Sequence, residues 1–272
     1  MTSDPRSVLR RPASEPDFTL RYGEHPDHVA DVRLPAVPNA PLVLFVHGGF
    51  WRREWDRAHA APLAGDLAAR GYAVATIEFR RTGQTGGGWP GTFSDVAAAA
   101  VAVPDQLAKE VAHRGLLPVS VDRPIMAGHS AGGHLALWYA SVAPDAVGGV
   151  VALAPVADLT RAYELDLDGG AVADLLGGGP ESVPEAYRSA DPMRNLPSGV
   201  RTVIVHGADD DIVPVELSRD YCRAARRAGD DATLVELAGV EHFGVIDPLS
   251  PAWTAVLAAF GTVTRGETAQ GD

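Results

Sequence analysis

Apolar positions along the chain fall into two alternating textures. Short stretches repeat every two residues or run unbroken, and longer ones place apolar residues three and four apart. "DFTLRYG" and "HVADVRLP" alternate with period two, which predicts an antiparallel opening hairpin. "APLVLFVHGG" is a continuous apolar run closed by glycines, the pattern of a strand covered on both faces. "AHAAPLAGDLAARG" predicts a helix ended by Gly71, followed by the strand "YAVATIEF". A helix is expected from about Phe93 to His113, kinked or split at Pro104 because proline removes a backbone donor and crowds the preceding turn. The alternation continues through "RPIMAGHS" (strand), "AGGHLALWYASVA" (helix) and "AVGGVVALAP" (strand). It is lost over 156–197 among glycines, prolines and short helical pieces, read as a small cap inserted in the domain. It returns with "VRTVIVHGADDD" (strand), "VELSRDYCRAARRAG" (helix), "ATLVELAG" (strand) and "PAWTAVLAAFGTV" (helix). Strands alternating with helices imply right-handed crossovers and a mostly parallel sheet covered on both faces. The expected organisation is one α/β domain over 18–264, with flexible tails at 1–17 and 265–272.

Composition narrows the functional classes. With 272 residues and 46% hydrophobic positions, a single large globular domain is the expectation. Lys and Arg total 23 against 35 Asp and Glu, a net charge of −12. That balance repels phosphate backbones and anionic lipid surfaces, so no nucleic-acid or membrane partner is expected. The single cysteine, Cys222, excludes an internal disulfide and reads as a half-buried helical thiol. "MTSDPRSVLRRPASEPDF" has no apolar signal core, and no run of about 18 apolar residues occurs. A cytoplasmic protein is expected.

The chemistry gathers at "GHSAG", Gly128 to Gly132, which lies where a strand ends and a helix begins. A G-x-S-x-G turn in that setting is tight and strained, so small residues must flank the serine, and the Ser130 hydroxyl is lifted at the carboxyl edge of the sheet. A serine hydroxyl needs a positioned base, itself oriented by a carboxylate. Downstream, "HGADDDIVP" offers Asp209, Asp210 and Asp211 after one strand, and "GVEHFG" offers His242 after the next. Ser, Asp, His is the chain order of an α/β-hydrolase. His47 and His206 each end a strand beside a glycine and are expected to hold loop backbone. His129 and His134 flank the serine and are expected to pack around it. No H-E-x-x-H and no paired cysteines occur, so no metal is expected.

Over 18–264 the chain resembles the α/β-hydrolase superfamily, for which an eight-stranded sheet is the expectation. More narrowly, "HGGFW" resembles the H-G-G-x-W motif of the kynurenine formamidase (arylformamidase) and related esterase branch, and "FRRTGQTGGGWPGTFSDV" resembles bacterial members of that group. In that branch the acid precedes the V-P element as in H-G-x-x-D-x-x-V-P, which laid on this chain selects Asp210. The resemblance implies a triad of Ser130, Asp210 and His242. It also implies an oxyanion hole made by the N–H groups of Ala131, after the nucleophile, and of Gly49 and Phe50 in the "HGG" loop. Trp51 and Trp89 are expected to wall an apolar pocket.

The expected function is cleavage of a small carboxylic ester or aryl formamide through an acyl-enzyme, with no cofactor and a small-molecule substrate as partner. A broad-range carboxylesterase uses the same residues, and a non-catalytic binding protein of this fold is the remaining alternative. The pattern leaves a homodimer open.

Overall fold

A computed structural model describes residues 4–265. In chain order it contains β1 (Phe18–Arg21), β2 (Val29–Arg33), β3 (Ala40–Val46), α1 (Ala61–Ala69), β4 (Ala73–Ile77), α2 (Gly91–His113), β5 (Val119–His129), α3 (Ala131–Val142) and β6 (Gly149–Leu153). Then follow α4 (Leu159–Glu164), α5 (Ala171–Leu176), α6 (Pro184–Ala190), β7 (Thr202–Gly207), α7 (Glu216–Ala228), β8 (Ala232–Leu237) and α8 (Trp253–Arg265). The strands form one eight-stranded sheet in the order β1-β2-β4-β3-β5-β6-β7-β8. β1 and β2 form the predicted hairpin and β2 joins β4 antiparallel, while every pairing from β4 to β8 is parallel.

The unbroken apolar runs are explained by the two cores they serve. Along β3, Leu42, Leu44 and Val46 enter the cluster that includes residues of α2 and α3. Val43 and Phe45, pointing the other way, enter the cluster with Leu63 and Leu67 of α1 and Phe260 of α8. A strand between two helical layers has no solvent face on which to place polar residues. The parallel strands all end at one edge of the sheet, so the loops after β3, β5, β7 and β8 gather there. This is the edge at which ligands meet open α/β sheets.

Two expectations are corrected, and a third gains detail. Pro104 does not split its helix: α2 runs unbroken over 23 residues. Its stripe of Phe93, Val96, Ala99, Ala100, Val103, Leu107 and Val111 is buried at three- and four-residue spacing on both sides of the proline, and that packing outweighs one missing hydrogen bond. Residues 5–10 are not a tail but a 3₁₀ turn, Pro5–Arg10, that buries Val8 to 1% exposure against the α1 and α8 layer. Burying one valine is worth about 1.5 kcal/mol or more, and the Arg11 guanidinium is joined to Asp247 by a two-pronged ion pair. The segment 156–197 holds α4, α5 and α6, yet Val172, Leu175, Tyr187 and Ala190 are buried in the same cluster as α3. It is thus fastened to the main core. Apart from Arg265, the last residue of α8, the expected tail at 265–272 lies outside the described residues. Among the described residues no helix is long and apolar enough to cross a membrane.

Candidate active site

Ser130 stands between β5 and α3 with φ 56° and ψ −119°, a conformation that costs of order 1–3 kcal/mol and survives only when its surroundings impose it. They do so by close approach. A Cβ on Gly128 would collide with the Gly132 carbonyl oxygen, and one on Gly132 with the Val46 carbonyl oxygen of the neighbouring strand. The Ser130 N–H donates to the Leu153 carbonyl at 2.8 Å, and its own carbonyl accepts from His134 N–H at 3.0 Å. The serine is 2% exposed, and no side chain caps the start of α3, so the helix N–H groups beside it stay available as donors.

Of the three adjacent aspartates, geometry singles out Asp210. His242 Nδ1–H donates to Asp210 Oδ2 at 2.6 Å, and the N–H groups of Ile212 and Val213 donate to Oδ1 at 2.9 and 2.8 Å. Asp209 and Asp211 are exposed. His206 does more than the loop-holding expected from its place beside Gly207. Its Nε2–H lies between the Val213 carbonyl (2.9 Å) and Asp210 Oδ2 (3.1 Å), so the ring holds the carboxylate as well as the loop. The Ser218 hydroxyl meets its other nitrogen at 2.7 Å. Burial alone would raise the Asp210 pKa, but the hydrogen bonds from His206 and His242 and from Val213 N–H hold it well below the usual carboxylate range. His242 Nε2 has no protein partner among the described hydrogen bonds, and the ring lines the same cavity as Ser130.

The "HGGFW" loop closes the opposite wall. Gly49, Phe50 and Trp51 all have positive φ, at 111°, 48° and 57°. A Cβ on Gly49 would run into the Trp55 side chain. The N–H groups of Gly49 and Phe50 donate to no carbonyl among the described loop hydrogen bonds, while His47 braces the loop from behind. Its Nδ1 lies 2.8 Å from the Gly48 carbonyl and its Nε2 2.9 Å from Glu78 Oε1. Glu78 also accepts from Phe79 N–H and Arg57 N–H and faces the Arg81 guanidinium. Burial would raise its pKa, but His47, Arg81 and the Arg57 N–H together lower it to about 2. A buried glutamate ending a strand before two arginines, as in "EFRR", was the available signal for this brace, and sequence reading missed it.

The resulting cavity is about 300 Å³ and brings together Gly49, Phe50, Ser130 and His242, which is room for a small organic substrate. Trp51 and Trp89 are not on its wall. The successive left-handed residues turn Phe50 toward the cavity and Trp51 inward, where it is 1% exposed and edge-on to His134. Trp89 packs edge-on against Phe93 at 4.9 Å. Trp55 and Phe243 supply the aromatic wall instead. From the segment 156–197 only Asp168 reaches the cavity. Among the described residues no group of three or more His, Cys, Asp or Glu side chains is arranged to hold a metal ion.

Comparison with known proteins agrees with this architecture. The family model described as BD-FAE matches residues 30–224, a span that includes Ser130 and Asp210 and ends before His242. The chain belongs to the BD-FAE family. Among curated proteins, it is similar to esterase LipC of Mycobacterium tuberculosis, at 26% identity over 83% of this chain and 59% of LipC. It is also similar to kynurenine formamidase of Drosophila melanogaster, at 26% identity over 84% of this chain and 75% of that protein. The chain therefore spans little more than half the length of LipC. Among solved structures, a truncated carbohydrate esterase from gut microbiota superposes with a TM-score of 0.76 at 19% identity, over 92% of this chain and all of that one. Esterase B from Lactobacillus rhamnosis gives 0.75 at 19% identity, over 98% and 91%. This member of the BD-FAE family has the α/β-hydrolase fold.

Proposed function

We propose that this protein is a serine hydrolase that cleaves a small carboxylic ester or aryl formamide through an acyl-enzyme. The observation that carries the reading is the convergence of a strained Ser130 and the His242–Asp210 pair on one small cavity. In this reading His242 Nε2 takes the Ser130 proton as Oγ attacks the scissile carbonyl, and Asp210 holds the imidazolium that forms. The oxyanion is met by the N–H groups of Ala131, Gly49 and Phe50. His242 then protonates the leaving alcohol or arylamine, and water attacks the acyl-enzyme by the same route. Relatives named as esterases support the ester reading, and the Drosophila kynurenine formamidase, matched over 75% of its length, supports the formamide one.

The test is kcat/KM for p-nitrophenyl acetate and butyrate beside N-formyl-L-kynurenine, with Ser130→Ala as the blank. Turnover of an ester or the formamide above that blank is the expected result. A formamide value above about 10⁴ M⁻¹s⁻¹, the lower end for committed enzymes, assigns formamidase activity, and turnover of the esters alone assigns esterase activity. Absence of both sinks the proposal and leaves a binding protein of this fold.

A further inference from the structure

We infer that the preferred leaving group carries a carboxylate and that Arg6 binds it; the inference rests on the hydrolase reading above. The cavity wall is mostly apolar, with Leu9, Phe50, Trp55, Ile212 and Phe243, and its permanently charged side chains are Arg6 and Asp168. Asp168 is matched: its carboxylate accepts from Arg52 Nε at 2.5 Å and its carbonyl from the same guanidinium at 2.7 Å. Arg6 has no carboxylate partner among the described ion pairs. Its backbone N–H donates to Asp4 at 3.0 Å, while the guanidinium lies over the Phe243 ring, 6.0 Å from its centroid. Burial keeps the other two imidazoles on the wall uncharged at neutral pH, with His59 lowered to about 4 and His129 held well below the ordinary imidazole value.

Two further observations give this cation a function. The turn that carries it is fastened by buried Val8 and by the Arg11–Asp247 pair, so Arg6 is presented from a held segment. In a chain of net charge −12, a guanidinium with no carboxylate partner among the described residues, on the wall of the candidate catalytic cavity, makes that spot attractive to anions against the overall field. The side of the substrate follows from the chemistry. The leaving group takes its proton from His242, so it lies on the His242 side of the scissile carbonyl, and Arg6 covers Phe243, the next residue. Guanidinium and carboxylate match in planar geometry and can form paired hydrogen bonds.

The experiment compares 4-carboxyphenyl acetate with its neutral isostere 4-carbamoylphenyl acetate at low ionic strength in wild type, Arg6→Gln and Arg10→Gln, with Ser130→Ala as blank. Arg10 is exposed on the same turn and is not on the cavity wall. The anionic-over-neutral ratio of kcat/KM should fall about three- to fivefold in Arg6→Gln, the size expected of a charged pair whose guanidinium is exposed. It should hold in Arg10→Gln. A ratio unchanged in Arg6→Gln, or lowered equally in Arg10→Gln, overturns the assignment while leaving the hydrolase reading intact. Failure of both esters to exceed the Ser130→Ala blank removes that reading and this inference with it.

Discussion

Of the imidazole–carboxylate pairs at this sheet edge, His242–Asp210 and His47–Glu78 make the instructive contrast. His242 binds Asp210 through Nδ1, its Nε2 has no partner among the described hydrogen bonds, and its ring lines the cavity. His47 binds Glu78 through Nε2 and has its other nitrogen against the Gly48 carbonyl. Both carboxylates are buried, and both have pKa values held down by their partners. Burial and pairing alone therefore do not mark a catalytic histidine; the open nitrogen does. A base must have somewhere to put a proton, and a brace must not.

The contrast can be broken most severely at Asp210. Asp210→Asn should lower kcat by about 10⁴, because an amide can donate to Nδ1 and leave His242 in the wrong tautomer. Steady-state kinetics with p-nitrophenyl acetate would measure it, and a loss under tenfold would place the orienting carboxylate elsewhere. Next, Gly49→Ala adds a Cβ that meets Trp55 at a residue with φ 111°. A kcat loss of about 10²–10³, the range for removing an oxyanion donor, is expected with the sheet intact by circular dichroism. Glu78→Gln should cost less, about 10- to 100-fold in kcat, since it loosens the brace behind the loop without touching the reacting atoms. A loss as deep as that of Asp210→Asn would erase the distinction between the two pairs.

The smallest effect concerns a carboxylate with no histidine partner. Asp191 is 1% exposed beside Asp158; burial, with that charge, raises its pKa to about 6 despite N–H donors from Leu159, Met193 and Thr160. The folded state holds this proton more tightly than the unfolded chain does, so the group penalises folding above pH 6, and the penalty is relieved as pH falls toward 4. A shift of about two units corresponds to at most about 3 kcal/mol. Urea unfolding at pH 7 and pH 5 should show wild type gaining stability on acidification relative to Asp191→Asn. Parallel changes in the two proteins would mean that Asp191 does not titrate in this window.

Local pattern carried much of this in advance. All eight strands, Ser130 on its turn and His242 after the last strand were legible because hydrophobic period and glycine placement are short-range properties. Choosing among Asp209, Asp210 and Asp211 needed the spacing of related proteins, since three adjacent carboxylates are alike until a backbone turn buries one. The cavity wall was less legible. Trp51 turns inward because three consecutive residues, Gly49 to Trp51, take positive φ, which composition does not announce. The turn carrying Arg6 is fastened through Arg11 and Asp247, 236 positions apart, a contact no local window contains.

The most direct test of the central claim is covalent labelling. Incubation with a fluorophosphonate, followed by intact mass and peptide mapping, should show one adduct per chain on Ser130, absent in Ser130→Ala and strongly slowed in His242→Ala. An unmodified Ser130 peptide after prolonged exposure of the folded protein would contradict the account, because a serine activated by His242 and Asp210 could not remain inert.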